Sequence, residues 1–418
     1  MVRALLRFGS PRRLRRTFVW LRETAAEIRR RRAEPRLTVA VDVNSFYEPL
    51  TGVGWYLQRL LGHLAGRDDL RLRLYGQSLV EGDPGAPEPV VEMPEMPRGP
   101  AIERVIYDAP DGLVIPPWRA RQVLRRLAPL LLAADGNRVL FAPNYLFPPL
   151  FRFARGARIA MIHDLAVRKL PWAVRPDSAT ALREQMERTL LEADRLLTPS
   201  EAVRRELIEI GVSPRRVRAI HHGTGLMSET APGVPPAGTP PRYALHVGTV
   251  EPRKNVSALL AAWRLLRARR LDPPPLVLCG GFGWKAEALR REIAEAAREG
   301  WTLHLGYLGA AELAALYRGA EMVLLPSFYE GFGLPAVEAL QAGAPLVASD
   351  LPVLREVAGE AALYAPPDRP DLWADRVAAL LADSGLREAL REKGFARAAL
   401  FDWHRTAEET ARVFREAL

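Results

Sequence analysis

The chain has 418 residues, of which 48% are hydrophobic and 26% are charged, a balance that is ordinary for a soluble globular protein and excludes bulk disorder. One hydrophobic core stops growing at about 250–300 residues, so the length predicts two domains. Residues 1–36, with twelve arginines and three glutamates, carry +9 of the net charge of +10, and this disfavours binding of nucleic acid over the whole surface.

The basic segment 1–36 has the pattern of an amphipathic helix. Ser10 and Pro11 are typical of a helix cap and a first helical residue. Apolar residues then recur at spacings of three and four, at Leu14, Phe18, Leu21, Ala25 and Ile28. Arginines cover the remainder, so the pattern predicts a helix that lies on an anionic membrane surface. The alternatives are a helix packed on the protein with a solvated basic face, a transit peptide, or a misassigned start codon.

Neither a membrane span nor a disulfide is predicted. The longest clean apolar run near the middle covers residues 127–134, whereas a spanning helix needs about 20 residues. Arginines interrupt the apolar stretches of the N-terminus, so no secretory signal is predicted. The single cysteine, Cys279, follows an apolar run and is expected to be a small buried hydrophobe. These features predict a reducing, cytoplasmic compartment.

Alternating strands and helices predict a first α/β domain over residues 37–222. Its strands are predicted at 37–43, 70–76, 138–142, 157–162 and 195–198. Its helices are predicted at 55–64, 178–192 and 201–210. Residues 82–100, which are rich in proline, glycine and acid, are predicted to be irregular.

A linker with five prolines and four glycines, residues 223–241, separates this domain from a second one over residues 242–400. The second set of strands is predicted at 243–247, 275–279, 302–305, 321–325 and 345–348. Helices are predicted at 255–269, 285–298, 311–318, 335–342, 370–382, 386–399 and 404–417. The alternation predicts an α/β protein of two doubly wound, Rossmann-like domains, each with a parallel sheet covered on both faces.

The strongest functional signal is the segment Pro326-Ser-Phe-Tyr-Glu-Gly-Phe-Gly-Leu-Pro-Ala-Val-Glu-Ala-Leu340. A strand ends, a glycine-bearing loop follows, and a helix begins with Pro335 at a first helical position. No Ser, Thr, Asp or Asn stands at the expected cap, so the first amides of this helix suit a diphosphate. Glu330 precedes the helix and Glu338 lies about one turn into it, where both carboxylates can accept hydrogen bonds from sugar hydroxyls. The alternative is a pair of solvated surface acids.

A second cluster, His246-Val-Gly-Thr-Val-Glu-Pro-Arg-Lys-Asn255, connects the first strand and first helix of the second domain. Loops at the carboxyl ends of strands line the crevice of a doubly wound sheet. Arg253 and Lys254 can there neutralise a leaving diphosphate without a metal ion. The alternative is two exposed cations near a helix start, where the helix dipole disfavours them. Residues 281–286 formally match a dinucleotide-binding pattern, but no acid follows about 20 residues later, so they predict a tight turn.

These segments resemble family 4 of the retaining glycosyltransferases. The resemblance extends through Gly343-Ala-Pro-Leu-Val-Ala-Ser-Asp-Leu-Pro-Val-Leu-Arg-Glu-Val-Ala-Gly359, with weaker landmarks at 42–56, 162–165 and 198–200. It covers residues 37–418 and implies the GT-B architecture, in which two Rossmann-like domains face each other across a cleft. It also implies the donor nucleotide on the second domain, the acceptor on the first, and a last helix, 401–418, that crosses back to the first domain.

The resemblance assigns roles to the charged residues. Glu330 would bind the donor sugar and Glu338 the nucleotide ribose, as the paired acids of a Glu-x7-Glu motif. Lys254, together with Arg253, would hold the diphosphate. Thr249 stands where many members carry an arginine, so the phosphate-binding pair of this chain is predicted to be Arg253 with Lys254.

The resemblance also assigns a histidine and several glycines. His163 would lie near the reacting centre on the acceptor side, although a histidine at a strand end is also a common structural hydrogen-bonding group. Gly52 and Gly54 would let the first loop approach the phosphates. Further donor contacts are implied at Gly248, Gly331, Phe332, Gly333 and Leu334. His221 and His222, at the edge of the linker, are predicted to be structural or solvent-facing.

The function implied by the resemblance is retaining transfer of a sugar from a nucleoside diphosphate donor to a glycan or lipid-linked acceptor, in bacterial-type polysaccharide or glycolipid assembly. A mannosyl donor on GDP is suggested by the same resemblance, and UDP-sugars stay open. No cofactor, metal ion or nucleic-acid partner is expected. The predicted location is the cytoplasm, peripheral to the inner face of the plasma membrane if residues 1–36 bind anionic lipid. The alternatives are a GT-B epimerase and an inactive nucleotide-sugar-binding protein.

Overall fold

A computed structural model describes residues 11–46, 52–75, 97–105, 129–148, 151, 153–173, 176–227 and 233–418. The predicted cap at Ser10, residues 82–96 of the predicted irregular segment and linker residues 228–232 lie outside these ranges, as do the side chains of Leu14 and Phe18. Within the described ranges, no helix is both long and apolar enough to cross a membrane.

The first sheet has seven parallel strands. They are β1 (Leu37–Asp42), β2 (Leu70–Tyr75), β3 (Ile102–Arg104), β4 (Val139–Ala142), β5 (Ala157–Met161), β6 (Arg195–Thr198) and β7 (Val217–Ala219), in the spatial order β3-β2-β1-β4-β5-β6-β7. The accompanying helices are α1 (Pro11–Arg32), α2 (Gly52–Leu64), α3 (Ala166–Lys169), α4 (Pro176–Glu192) and α5 (Glu201–Glu209). Val39 and Val41 share a core with α2, whereas Ala40 between them enters a different core, so the strand is buried on both faces.

The second sheet has six parallel strands. They are β8 (Ala244–Val247), β9 (Leu276–Cys279), β10 (Thr302–Gly306), β11 (Met322–Leu325), β12 (Leu346–Ser349) and β13 (Ala362–Ala365), in the order β10-β9-β8-β11-β12-β13. Its helices are α6 (Val256–Ala268), α7 (Glu287–Arg298), α8 (Ala310–Gly319), α9 (Leu334–Gln341), α10 (Pro352–Ala358), α11 (Pro370–Ala382) and α12 (Ser384–Ala398). Leu245 packs with α8 and α9 while Ala244 packs with α6 and α11, so helices cover both faces and the predicted α/β fold is confirmed.

The last helix, α13 (Trp403–Glu416), packs on the first sheet and not on the second. It lies against α2, and the ring centroid of Phe414 is 5.2 Å from that of Phe141 in β4. Trp403 at the start of α13 is buried in the same core. The chain therefore crosses from the second domain back to the first at about residue 400.

The structure contains elements that periodicity does not predict: α3, α10, and the strands β3, β7 and β13. All three strands lie at sheet edges and have only three or four residues. A window this short shows neither a strand period nor a helix period, and an edge strand needs no continuous apolar run. These additions extend each sheet outward and leave the predicted central strands unchanged.

Buried ion pairs anchor the end of α1 on the first domain. Arg31 is only 5% exposed, and its guanidinium lies 3.2 Å from both Glu103 Oε1 and Asp135 Oδ1. Arg73 in β2 is fully buried and donates to Glu103 Oε2 and to the backbone carbonyl of Arg31. Removing one partner from a buried charge cluster leaves the others uncompensated, so these contacts tie α1 to the edge of the first sheet.

Candidate active site

A cleft of about 620 Å³ lies between the two domains, a volume that lies within the ordinary range of small-molecule sites. Loops that follow β5, β8, β9 and β11 form much of its wall, as expected at the carboxyl ends of parallel strands. The residues predicted from the sequence that line it are Gly52, His163, Gly248, Arg253, Lys254, Glu330, Gly331, Phe332, Gly333, Leu334 and Glu338. Gly54 is buried inside α2 and is not part of this wall.

Glu330 lies against two cations in the loop between β11 and α9. Its Oε1 atom is 2.6 Å from Lys254 Nζ and accepts a second hydrogen bond of 2.6 Å from Ser327 Oγ. Arg253 Nη1 approaches Oε2 at 3.6 Å, and its guanidinium also pairs with Glu251. Lys254 belongs to the loop after β8, and β8 is the neighbour of β11 in the sheet. The sheet topology thus brings the two predicted segments together.

The Glu330 carboxyl is ionised despite its burial. Burial alone would raise its pKa, but the charges of Lys254 and Arg253, with the hydrogen bonds from Lys254 and Ser327, outweigh that effect and hold the pKa at about 2. At neutral pH the carboxylate is therefore a fixed acceptor for a hydroxyl group, with cations beside it that can meet an anion.

Helix α9 begins without a side-chain cap, as predicted. Gly333 occupies the cap position with φ of +92°, and Pro335 follows in the first turn. This left-handed backbone conformation favours glycine, and a Cβ at Gly333 would also displace Leu354 Cδ2, which lies 2.7 Å from its position. Because Gly333, Leu334 and Pro335 line the cleft, the positive end of this helix faces the space in which an anion would bind.

Glu338 faces the cleft one turn into α9. Its Oε2 atom accepts a 2.7 Å hydrogen bond from the Tyr317 hydroxyl. Burial raises the pKa of Glu338, and the Tyr317 hydrogen bond and the charge of Arg59 oppose that rise. Arg59 lies on α2 of the first domain, so the two domains act together on this carboxyl.

His163 follows β5 in surroundings that favour the neutral form of its imidazole over the charged form. Its Nε2 atom is 2.8 Å from the carbonyl oxygen of Pro143, which can only accept, so Nε2 carries the proton and Nδ1 has a lone pair. Burial lowers the pKa of His163, and the Pro143 hydrogen bond and the charge of Asp164 oppose the shift only in part. His222 Nε2 lies 3.4 Å from that Nδ1 atom.

Comparisons with known proteins show the family of this chain. The description Glycosyltransferase Family 4 matches residues 50–227, and Glycosyl transferases group 1 matches residues 228–397. The O-antigen chain mannosyltransferase B of Escherichia coli is 30% identical over 379 residues, which are 88% of this chain and 96% of that protein. The chain belongs to the family 4 glycosyltransferases.

Solved structures share the architecture of this glycosyltransferase. Sucrose-phosphate synthase from Thermosynechococcus elongatus matches with a TM-score of 0.67 and 24% identity, over 91% of this chain and 99% of that one. Anabaena Alr3699/HepE in complex with UDP-glucose matches with a TM-score of 0.63 and 18% identity, over 91% and 99%. The predicted GT-B fold is confirmed: two α/β domains with parallel sheets face each other across the cleft.

Sequence reasoning does not identify three further residues of the cleft. His222 is 3% exposed and stacks on Trp403 in the cleft wall, where the sequence predicts a structural or solvent-facing side chain. Tyr56 and Arg59 also line the cleft from α2. The apolar period of α2 indicates only a core helix, so its contribution to the cleft depends on tertiary packing that no local pattern reveals.

Cys279 is buried as predicted, at the end of β9 and against the cleft. Burial raises the pKa of its thiol to about 12, so the thiol is protonated and unreactive at neutral pH. In the part of the chain that the structure describes, no group of three or more His, Cys, Asp or Glu side chains could hold a metal ion.

Substitutions of the two glutamates should have different effects. Glu330→Gln should depress turnover by about tenfold or more, because it removes the negative charge through which Lys254 and Arg253 hold this side chain in place. Glu338→Ala should chiefly weaken nucleotide affinity, by about tenfold, because it removes a charged hydrogen-bond acceptor. Steady-state kinetics and calorimetric titration with a nucleoside diphosphate separate the two effects. Glu360→Ala, at an exposed glutamate, is the control. Unchanged kinetics and affinity in both folded variants would contradict the assignment.

Proposed function

We propose that this glycosyltransferase moves a sugar from a nucleoside diphosphate donor to a glycan or lipid-linked acceptor, with retention of anomeric configuration, in the assembly of a bacterial polysaccharide or glycolipid. The observation that carries the proposal is the ionised Glu330, held between Lys254 and Ser327 beside the uncapped start of α9. A carboxylate for sugar hydroxyls, together with cations and amides for phosphates, meets the needs of a sugar diphosphate.

The proposed transfer breaks the bond between the anomeric carbon and a diphosphate oxygen, and forms a bond from that carbon to the acceptor oxygen on the same face. Lys254, Arg253 and the first amides of α9 stabilise the charge that develops on the departing diphosphate. A diphosphate oxygen takes the proton of the acceptor hydroxyl, so no separate base is needed. His163 lies on the acceptor side with its Nε2–H held by Pro143.

A panel of nucleotide sugars tests the donor. GDP-mannose is the proposed donor because the Escherichia coli relative is named a mannosyltransferase, and UDP-sugars belong in the panel because HepE is described with UDP-glucose. A ligand at about 100 times its Kd stabilises the folded state by about 2.7 kcal/mol, which raises the unfolding midpoint. We expect GDP-mannose to stabilise the protein and to release GDP only when acceptor is present.

Other outcomes of the panel would replace the proposal. Stabilisation without turnover, under every acceptor tried, would indicate a nucleotide-sugar-binding protein. Exchange of a ring proton of the donor without acceptor would indicate an epimerase. Failure of every nucleotide sugar to stabilise the protein would contradict the proposed substrate class.

We propose that transfer is independent of metal ions, because side-chain cations and backbone amides in the cleft can neutralise a diphosphate as a divalent ion would. Activity should therefore survive a chelator, whereas Lys254→Met should lower kcat by about 10²–10³, the usual cost of losing one preorganised charge-stabilising group. Lys393→Met removes an exposed lysine and is the control. Loss of activity in EDTA with rescue by magnesium or manganese would refute metal independence.

We also propose that the first half of α1 docks the enzyme on an anionic membrane, which would place it at the inner face of the plasma membrane. Val19 and Leu21 are 47% and 49% exposed, and Arg15 and Arg22 are exposed beside them. Apolar side chains interleaved with arginines on one exposed helix suit the lipid interface. Each cation near an anionic leaflet contributes about 1 kcal/mol. The alternative to docking is that the helix packs on the protein. The second half of α1 does so, because Arg31 anchors it.

Docking is best tested by substitution in the full chain, because a chain that starts at Leu37 would lose the buried Arg31. We expect the wild-type protein to co-sediment with anionic liposomes at low salt and to be released as salt rises. A triple variant of the full chain, with Val19→Ser, Leu21→Ser and Arg22→Ser, should stay in the supernatant.

A matched control places the same kinds of change in the second domain, at the exposed positions Leu265→Ser, Leu271→Ser and Arg298→Ser. The control should pellet with the liposomes like the wild type. Equal sedimentation of both variants, or failure of the wild type to pellet at low salt, would show that docking by α1 is wrong.

A further inference from the structure

Tyr329 belongs to the second domain, but its side chain lies inside the first. The residue is 8% exposed and packs in a cluster of first-domain residues that includes Met186 and Leu207. Its hydroxyl accepts a 2.9 Å hydrogen bond from the backbone N–H of Leu165 and donates a 2.6 Å hydrogen bond to Glu206 Oε2. A single side chain thus joins the two domains at the loop that carries Glu330.

The segments that Tyr329 joins carry residues of the proposed reaction from both sides of the cleft. Leu165 lies two residues after His163, and Tyr329 immediately precedes Glu330. The carbonyl oxygen of Tyr329 accepts a 3.3 Å hydrogen bond from Arg253 Nη1, so its backbone is fixed on the donor side while its hydroxyl is fixed on the acceptor side. A displacement of this residue would therefore change the spacing between the two sides.

The other neighbour of Glu330 is tied to the first domain as well. Ser200 Oγ donates a 2.8 Å hydrogen bond to the carbonyl oxygen of Gly331. A Cβ at Gly331 would collide with the carbonyl oxygen of His163, so only glycine permits this approach. Both residues that flank Glu330 thus contact the domain on which the acceptor is expected.

The hydrogen bond from Tyr329 to Glu206 is charge-assisted. Glu206 Oε1 pairs with Lys169 Nζ at 2.5 Å, and this ammonium lies 5.8 Å from the centroid of the Tyr329 ring. Burial and the charges of Asp164 and Glu206 raise the pKa of Tyr329, so the phenol stays protonated and can donate throughout the neutral range. Hydrogen bonds to an ionised acceptor are stronger than neutral ones, so this contact is suited to fix a distance.

We propose that Tyr329 is a positioning residue for sugar transfer, whose hydroxyl sets the spacing between the donor-side Glu330 and the acceptor-side His163. The role rests on the proposed function, since the spacing matters only if both loops meet at the reacting centre. The nucleoside diphosphate itself is expected to bind to the second domain. Loss of the hydroxyl should therefore lower turnover and leave nucleotide affinity unchanged.

Tyr329→Phe tests this split because it removes the hydroxyl and keeps the ring. We expect kcat to fall by about tenfold or more, as for other hydrogen bonds to charged groups. The Kd for the nucleoside diphosphate, measured by calorimetry, should equal that of the wild type. Tyr243→Phe is the matched control, because its buried hydroxyl donates at 2.7 Å to the carbonyl oxygen of Leu316 within the second domain. It should retain wild-type kcat.

Glu206 tests the same bond from its other end. Glu206→Gln keeps an oxygen that can accept from Tyr329 and should retain most of the turnover, whereas Glu206→Leu should lose turnover, but less than Tyr329→Phe, which also removes the hydrogen bond from Leu165. The double variant Tyr329→Phe/Glu206→Leu should lose no more than Tyr329→Phe alone, because the bond between the two side chains is already absent in that single variant. Additive losses would contradict the pairing.

Two outcomes would overturn the role of Tyr329 while the proposed function stands. One is equal kcat in Tyr329→Phe and Tyr243→Phe. The other is a fall in nucleotide affinity as large as the fall in kcat. Absence of transfer by the wild-type protein with every donor would instead refute the proposed function, so the two failures are distinguishable.

Discussion

The contact between Lys254 and Glu330 is the constraint on which the rest of the donor side depends, because it joins two loops that leave adjacent strands. A carboxylate moved from water into this buried position costs several kcal/mol unless a cation and hydrogen bonds compensate it. Lys254 supplies the cation at 2.6 Å. The next residue, Asn255, holds the same pair of loops by donating at 3.0 Å to the carbonyl oxygen of Pro326. The loop after β11 can therefore present its carboxylate to the cleft only while the loop after β8 stays in place.

Polar contacts at α10 also join the two domains. Glu356 at α10 accepts hydrogen bonds of 2.7 Å from the backbone N–H groups of Glu201 and Ala202, at the start of α5 in the first domain. A carboxylate at a helix N-terminus is stabilised by the free amides and by the helix dipole. The same carboxylate lies 2.8 Å from His221 Nε2. The Tyr329 hydroxyl makes a further contact of this kind. Because these hydrogen bonds are directional, they restrict the relative orientation of the two domains more than apolar packing alone would.

The central strands and the donor-side acids could be predicted from the sequence because their signals are local. Strands such as β8 and β11 are buried on both faces and read as continuous apolar runs, with ends displaced by a residue or so. Glu330 and Glu338 are fixed by one loop and the helix that follows it. His222 and the Tyr329 hydroxyl could not be predicted, because their surroundings come from segments more than 50 residues away. Edge strands of three or four residues carry too few side chains to show any period.

Residues 1–36 show that the net charge counted from a sequence differs from the charge that the surface of the folded protein presents. Arg31 is buried against Glu103 and Asp135, and the exposed Arg30 pairs with Glu27 and Glu103, so carboxylates of the protein compensate both guanidinium charges. Coulomb attraction to an external anion is weakened by each nearby carboxylate, and only charges within about a Debye length of the partner count. The exposed Arg15 and Arg22 lie before the anchored turns. In the proposed docking, the first half of α1 would supply the attraction to an anionic surface, and the second half, which Arg31 fixes to the first domain, would set the orientation of the enzyme on that surface.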